Sequence, residues 1–331
     1  MHRAVGGRKM TRTLNQERIV LLIAGLLFVV FSAALPGFLS TGNLLSLVQN
    51  VSILGILGIG MALAVIGRGI DLSMVATMAL SVGWLLDMVN GGVSLPVAIL
   101  WVALFVVAVG LINGLLVAYV EIPAIFATLA MGILVYGFGK SFLIGNDVIY
   151  LPKSEHWFFQ IGSGRLFGIP NVVVILAVMA ALMTAFLRWM QPGRFLYGIG
   201  DNPQTARITG LPVRPLIVMQ YVMIALIALV AGLVMASAVS SMNTRIALST
   251  FVYDVILVVV LGGIGLSGGK GRVRNVLVGT LLIGILLNGM TILNLSFTTQ
   301  NILKSVILLA AIVIDTLMNP RDEQTAQHGD I

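Results

Sequence analysis

Ten apolar stretches, punctuated by Gly, Pro, Asn or charge, run along the chain at residues 19–35, 44–66, 72–89, 96–118, 124–145, 171–189, 216–238, 251–266, 276–293 and 301–318. A membrane-spanning helix needs roughly 20 mostly apolar residues, so this pattern commits most of the 331 residues to a bilayer. Composition removes the alternatives. Hydrophobic residues make up 59% and charged residues 9%, with a mean hydropathy of +1.07, whereas soluble domains are about one-quarter charged. Too little charge remains to cover a soluble surface, and disorder fails on the same ground. The absence of cysteine excludes a disulfide-stapled scaffold. The expected fold class is all-α: a polytopic membrane protein of about ten transmembrane helices.

Basic residues collect in cytoplasmic loops, and with ten spans both termini share a side. If that side is inside, it holds Arg3, Arg8, Lys9, Arg12, Arg18, Arg68, Arg188, Arg194, Arg207, Arg214, Lys270, Arg272, Arg274 and Arg321. The other side holds only Lys140, Lys153, Arg165, Arg245 and Lys304. Fourteen against five supports an N-in, C-in topology. The net charge of +7 is thereby chiefly orientation, and no Lys/Arg run interleaved with aromatics suggests nucleic acid. The basic N-terminus, the run from Ile19 and the small residues Ser32-Ala33-Ala34 also describe a cleavable signal peptide, which would leave nine spans.

The expected organisation is a cytoplasmic tail (1–18), one transmembrane domain (19–318) and a second cytoplasmic tail (319–331). Two loops are long. Residues 146–170, outside, carry Trp157, Phe158 and Phe159 and read as a segment lying in the membrane interface, where aromatic rings collect. Residues 190–215, inside, are polar and rich in Gly and Pro. Within them, Asn202 can cap a short helix beginning at Pro203 and Gly210 can end it. That pattern predicts a docking element at the cytoplasmic surface.

Several motif matches fail on context. Gly263-Ile264-Gly265-Leu266-Ser267-Gly268 fits G-x-G-x-x-G, but no acidic residue follows about 20 positions on; the next is Asp315. Gly269-Lys270-Gly271 imitates a P-loop, yet Ile264 and Gly271 stand where that motif needs its first Gly and its Ser or Thr. The chain therefore holds no ATP site. His2, His156 and His328 are scattered, so no metal site is expected, and no catalytic triad or carboxylate pair appears. The carboxylates Asp71, Glu121, Asp201 and Asp315 map to inner helix ends or loops, and Asp147, Glu155 and Asp254 to the outer side. Only Asp87 falls within a span, near its exit. Ion-driven carriers usually keep ionisable groups near mid-membrane; their scarcity here points to an external energy source. The spans offer instead neutral polar residues, among them Gln49, Asn50, Asn113, Thr128, Ser237, Asn288, Thr291 and Asn294. Such residues bond helix to helix. Collectively they suit an uncharged, hydroxyl-rich solute, with Gln49, Asn50, Asn113, Thr128 and Asn288 the candidate pathway residues. A short echo, Gly69-Ile70-Asp71-Leu72-Ser73 after span 2 and Gly263-Ile264-Gly265-Leu266-Ser267 after span 8, marks helix breaks in comparable places.

Four segments in order resemble ribose-type ABC transporter permeases. Gly67-Arg68-Gly69-Ile70-Asp71-Leu72-Ser73 is similar to their Gly-Gly-Ile-Asp-Leu-Ser segment, and Ile122-Pro123 through Thr128-Leu129 to their Ile-Pro-…-Thr-Leu stretch. Gly200-Asp201-Asn202-Pro203 with Ala206-Arg207 and Gly210 looks like their cytoplasmic Gly-x-Asn-x-x-x-Ala-x-x-x-Gly loop. Leu261-Gly262-Gly263 through Gly268-Gly269-Lys270-Gly271 resembles their glycine-rich signature. The resemblance implies a type II ABC importer-like permease in a bacterial inner membrane. Its partners would be ABC ATPase subunits carrying ATP and Mg, a second permease subunit, and a periplasmic sugar-binding protein; this chain itself would bind no cofactor. Asn202, Pro203, Ala206, Arg207, Gly210 and Leu211 would form the ATPase-coupling loop, while Gly69, Asp71, Ser73, Gly262, Gly263, Gly268 and Gly269 mark helix breaks. Arg68 and Arg274-Asn275 depart from the family pattern, so ribose itself does not follow. A stand-alone carrier or channel for a small uncharged solute is the alternative.

Overall fold

A computed structural model describes residues 16–152 and 156–318. Residues 1–15 and 319–331, with His2, Arg3, Arg8, Lys9, Arg12, Arg321 and His328, lie beyond the described residues, as do Lys153 and Glu155; Arg18, assigned to the tail, falls in the first helix. The helices are α1 (Gln16–Ala34), α2 (Thr41–Ile66), α3 (Met74–Asn90), α4 (Leu95–Ala118), α5 (Ala124–Phe138), α6 (His156–Ser163), α7 (Asn171–Trp189), α8 (Gln191–Asp201), α9 (Pro203–Ile208), α10 (Val213–Val239), α11 (Phe251–Leu261), α12 (Val273–Ile292) and α13 (Phe297–Met318). Among the described residues, seven helical stretches are long and apolar enough to cross a membrane; three shorter apolar ones, in α3, α11 and α13, make up the ten expected spans. The only strands among the described residues are short: β1 (Val148–Tyr150), β2 (Arg165–Leu166), β3 (Ile169–Pro170) and β4 (Ser241–Asn243). They pair antiparallel as β1–β4 and β2–β3.

The bundle is built round α2. From Val51 to Ile66 every residue of this helix is buried, which a helix achieves only when neighbours surround it. Its glycines show how close they come. A Cβ at Gly55 would lie 2.9 Å from Leu176 of α7, one at Gly58 2.8 Å from Val276 of α12, and one at Gly60 3.2 Å from Met74 and 3.3 Å from Ile227 of α10. Without a hydrophobic driving force between helices in lipid, such close backbone approach supplies the packing energy. The same device joins α4 to α10, where Gly110 and Gly114 face the backbone at Val222 and Val218. Outward, α1, α4 and α5 present Leu22, Leu26, Leu100, Trp101, Ile133 and Leu134 more than half exposed, as a lipid-facing surface does.

Two expectations need correction. The span expected at 251–266 is a helix of only eleven residues, because Gly262 and Gly263 (φ +92) end it; the apolar Ile264 and Leu266 that follow concealed the break. At about 1.5 Å per residue, α11 reaches roughly half-way through a ~30 Å core. The segment before it, a 3-10 turn at Thr244–Leu248, folds back against α3. Non-helical backbone is tolerated at such depth when protein covers it. Second, residues 146–170 are not simply an interfacial segment. Trp157 is exposed, but Phe158 is fully buried, and Gly162 meets α10 so closely that a Cβ would overlap the Ala238 nitrogen.

Candidate functional site

One end of the bundle gathers the breaks and the Pro/Gly-rich loop. Expected to carry one short helix, residues 190–215 form two. The first, α8, was hidden by Pro192, Gly193, Gly198 and Gly200, which read as loop punctuation. It is followed without a linker by α9, whose cap is Asn202: its Oδ1 accepts the Thr205 N–H at 2.9 Å. Gly210 follows α9 with φ +82. Ala206 is buried and seats α9 on the protein, whereas Ile208 is 87% exposed. Arg207 and Arg214 both reach Glu121 in the α4–α5 turn, at 3.4 and 3.3 Å, and Arg214 stacks 5.4 Å from the Tyr119 ring centroid. Leu211 lines, with Tyr119, Arg207 and Arg214, a shallow cavity of about 380 Å³ beside α9.

The α2–α3 break lies just inside this end. Gly67, Arg68 and Gly69 return their N–H groups to Leu63, Val65 and Ala64, unwinding α2. Arg68 has φ +65, the left-handed conformation in which glycine carries no penalty; the family's glycine at this place has a backbone reason. Asp71 is 2% exposed and accepts the Ser73 N–H and hydroxyl at 2.8 and 2.6 Å. It sits at the amino end of α3, where exposed N–H groups and the helix dipole favour a carboxylate. Asn113 of α4 donates to Ser73 Oγ at 2.8 Å. Thr128 of α5 accepts the Leu72 N–H at 3.0 Å and lies 3.2 Å from the Ile70 carbonyl. Asn113 and Thr128 are thus 1% and 0% exposed and fasten the break. Two residues of α10 that sequence reasoning missed complete it: Gln220 donates to the Leu63 and Ala64 carbonyls, and Tyr221 Oη would lie 2.7 Å from a Cβ at Gly69. A lone amide beside a Tyr in an apolar helix was the available signal.

The other three pathway candidates lie elsewhere. Asn288 of α12 exchanges two amide hydrogen bonds with Asn43 of α2, at 3.0 and 2.8 Å. Asn43, Ser46 and Asn50 share one face of α2 by their spacing, with Ser46 and Asn50 exposed and Gln49 half-buried beside them. Thr291 is exposed one turn beyond Asn288. The structure therefore separates a neutral, accessible polar stripe on α2 and α12 from a buried polar knot at Asp71.

In the second break, Asn275 donates to the Gly262 carbonyl at 2.8 Å. Among the described residues no cluster of His, Asp or Glu could hold a metal. Charge inside the bundle exceeds the expectation: Lys304, counted with the outer side, lies buried in α13 and pairs with Asp254 at 2.8 Å, both side chains 9% exposed.

Residues 43–314 match the family described as the permease component of branched-chain amino acid transport systems, and the chain belongs to that family. It is a multi-pass inner-membrane permease. It is 31% identical to the ribose import permease protein of Escherichia coli strain K12 over 311 residues, covering 94% of this chain and 97% of that protein. It is 33% identical to the ribose import permease protein of Bacillus subtilis strain 168 (88% and 89% covered). It is 30% identical to the L-arabinose ABC transporter permease protein of Azospirillum brasilense (95% and 90%). No solved structure matches significantly.

Proposed function

We propose that this chain is the membrane-spanning subunit of an ATP-binding-cassette importer for a monosaccharide or a related polyol or furanose, driven by separate ATPase subunits that bind ATP and Mg. The named sugars of its relatives support the solute class. The observation that carries the coupling assignment is α9: a capped surface helix, seated by Ala206 and presenting Ile208 to whatever docks there. Asn202, Pro203, Ala206, Arg207, Gly210 and Leu211 form this element, with the α9 end facing the cytoplasm. Glu121 lies within ion-pair reach of Arg207 and Arg214 at the surface, and the buried Ala206 seats the helix. The α2–α12 stripe, with Gln49, Asn50 and Asn288, lines half of the solute path, and a second permease subunit, identical or homologous, supplies the other half. A periplasmic sugar-binding protein delivers the solute at the opposite end.

Co-expression with candidate ATPase and binding-protein subunits tests this. The complex is expected to co-purify and to import at least one labelled sugar among ribose, arabinose and galactose only with ATP. Import by the chain alone in liposomes would instead identify a stand-alone carrier. Cysteine labelling tests topology, since the chain has no cysteine. Thr205→Cys should label only from the cytoplasmic side; labelling from outside would invert the assignment.

A further inference from the structure

At the α9 end three segments far apart in sequence meet backbone to backbone. Gly269, in the α11–α12 break, donates its N–H to the carbonyl of Ile66, the last residue of α2, at 2.9 Å. Gly200, in the last turn of α8, packs into that junction: a Cβ there would overlap the Ile66 carbonyl oxygen and lie 2.5 Å from the Gly269 nitrogen. The fit is reciprocal. A Cβ at Gly269 would lie 2.7 Å from the Asp201 backbone. One at Gly268 would lie 3.0 Å from the Gly200 carbonyl oxygen and 2.9 Å from Arg68 Cβ. Gly268 and Gly269 adopt φ of +82 and +71, which bends the 262–272 segment into place. Tyr197, one turn earlier on α8, donates its hydroxyl to the Gly271 carbonyl at 2.8 Å. Asp201 is followed directly by the α9 cap.

We propose that Gly200 and Tyr197 are positioning residues for transport: they hold the end of α8 as a wedge between the two helix breaks, so that displacing α9 moves both breaks together. The proposal rests on the assignment of α9 as the element an ATPase displaces. Contacts this close transmit displacement because packed interiors are nearly incompressible. A second observation points to the same motion. Asn113 Oδ1, Gln220 Oε1 and Tyr221 Oη, all buried round the α2–α3 break, have no hydrogen-bond partner among the described residues. They are groups with bonds to gain when that break shifts. The α2–α3 break also connects onward, through Thr128 to α5 and through Ser73 and Asn113 to α4, so a movement of that break reaches both helices.

Single cysteines at Ile70→Cys and Ser267→Cys report on the two breaks separately, each in the full complex with its ATPase and labelled by a maleimide with and without ATP and vanadate. With native α8, nucleotide is expected to change both labelling rates several-fold. Gly200→Ala should abolish both changes, and Tyr197→Phe should at least halve them. Gly198→Ala, whose Cβ would meet only Leu211 at 3.8 Å, should leave them intact. Unchanged labelling on adding nucleotide overturns the proposal, as does a full response in both Gly200→Ala and Tyr197→Phe. If Gly200→Ala fails to accumulate, Tyr197→Phe decides alone, since it removes one hydroxyl and no packing. Failure of the ATPase to co-purify with the native chain would be seen before labelling; it would defeat the coupling assignment, and this proposal with it.

Discussion

The two ends of the bundle are held together by different physics. At the α9 end, segments join by backbone contact and buried hydrogen bonds: Ile66 with Gly269, Asp71 with Ser73, Thr128 with Leu72. At the opposite end, β1 and β4 pair over three residues each, and Asp147 bridges Lys140 and Arg245 at 2.9 and 2.7 Å in partly exposed positions. Exposed ion pairs contribute little, whereas a buried polar group stripped of its partner costs about 1–3 kcal/mol. The helix-break contacts at one end are thus built to move as a block and the β1–β4 clip at the other to give way piecemeal, which suits a protein that receives force at one end and a solute at the other.

The largest test asks whether the β1–β4 end is soft throughout. Asp254 and Lys304 tie the first turn of α11 to α13 near that end, and Thr250 and Asn301 lie 3.0 Å apart beside them. Breaking a buried ion pair on one side costs about 3–5 kcal/mol, whereas replacing both partners by apolar groups is often neutral. Lys304→Met is expected to destabilise by about that amount in detergent unfolding, and Asp254→Leu/Lys304→Met to recover most of it. A single variant as stable as the native chain would show that the pair carries no structural weight and that this end is uniformly weak.

At the α9 end the matching test is Thr128→Val, which keeps the shape but orphans the Leu72 N–H. The expected loss is about 1–3 kcal/mol, read by the same unfolding assay, together with faster hydrogen exchange at Leu72. Unaltered exchange at Leu72 would mean that Thr128 does not fasten the break, and the contrast between the ends would lose its firmest example.

Much of this was legible in the residues, and what was not has identifiable causes. The ten apolar helices follow from run length, and the α9 cap from Asn202 and Gly210, because both signals are local. The half-length of α11 was hidden because Ile264 and Leu266 continue an apolar run past Gly263, whose left-handed backbone only the fold reveals. Asn113 and Thr128 looked like path-lining groups because a neutral polar residue in a span reads the same whether it faces a solute or another helix. Only the three-dimensional partners, Ser73 and Leu72, distinguish the two cases. Likewise Gly200, Gly269 and Ile66 are 69 or more positions from at least one of their number, and no spacing rule joins them.

A smaller effect separates seating from docking at α9. Asn202→Ala removes the one side-chain cap of a six-residue helix, at a cost of about 1 kcal/mol. Exchange of the Thr205 amide should quicken about fivefold, the factor that energy implies at 25 °C, while global unfolding stays where it was. Recovery of ATPase with the purified complex should fall in step. Faster exchange with undiminished recovery would mean that the partner grips Ile208 and the body of the helix and is indifferent to its first turn.

The smallest effect is expected at Asp147. The hydrogen bond from Lys140 first, and then Arg245, holds its carboxyl below the usual carboxylate range, against some opposing desolvation. A lowered folded value means that its contribution is fully present above the unfolded carboxylate pKa of about 3.9. It is then lost as pH falls through the folded value. The β1–β4 clip should therefore be insensitive to pH between 7 and 5, on the order of two units of physiological acidification, and loosen only in stronger acid. Asp147→Asn should shift the unfolding midpoint less than Lys304→Met or Thr128→Val at neutral pH, and the difference from the native chain should vanish in strong acid. A midpoint shift rivalling that of Lys304→Met would break the comparison, since an ion cluster open to water would then be holding the fold as firmly as a buried pair. The backbone argues against that outcome: Thr244 donates both its N–H and its hydroxyl to the Asp147 carbonyl, at 2.8 and 3.0 Å, and neither bond depends on the carboxylate that the substitution removes.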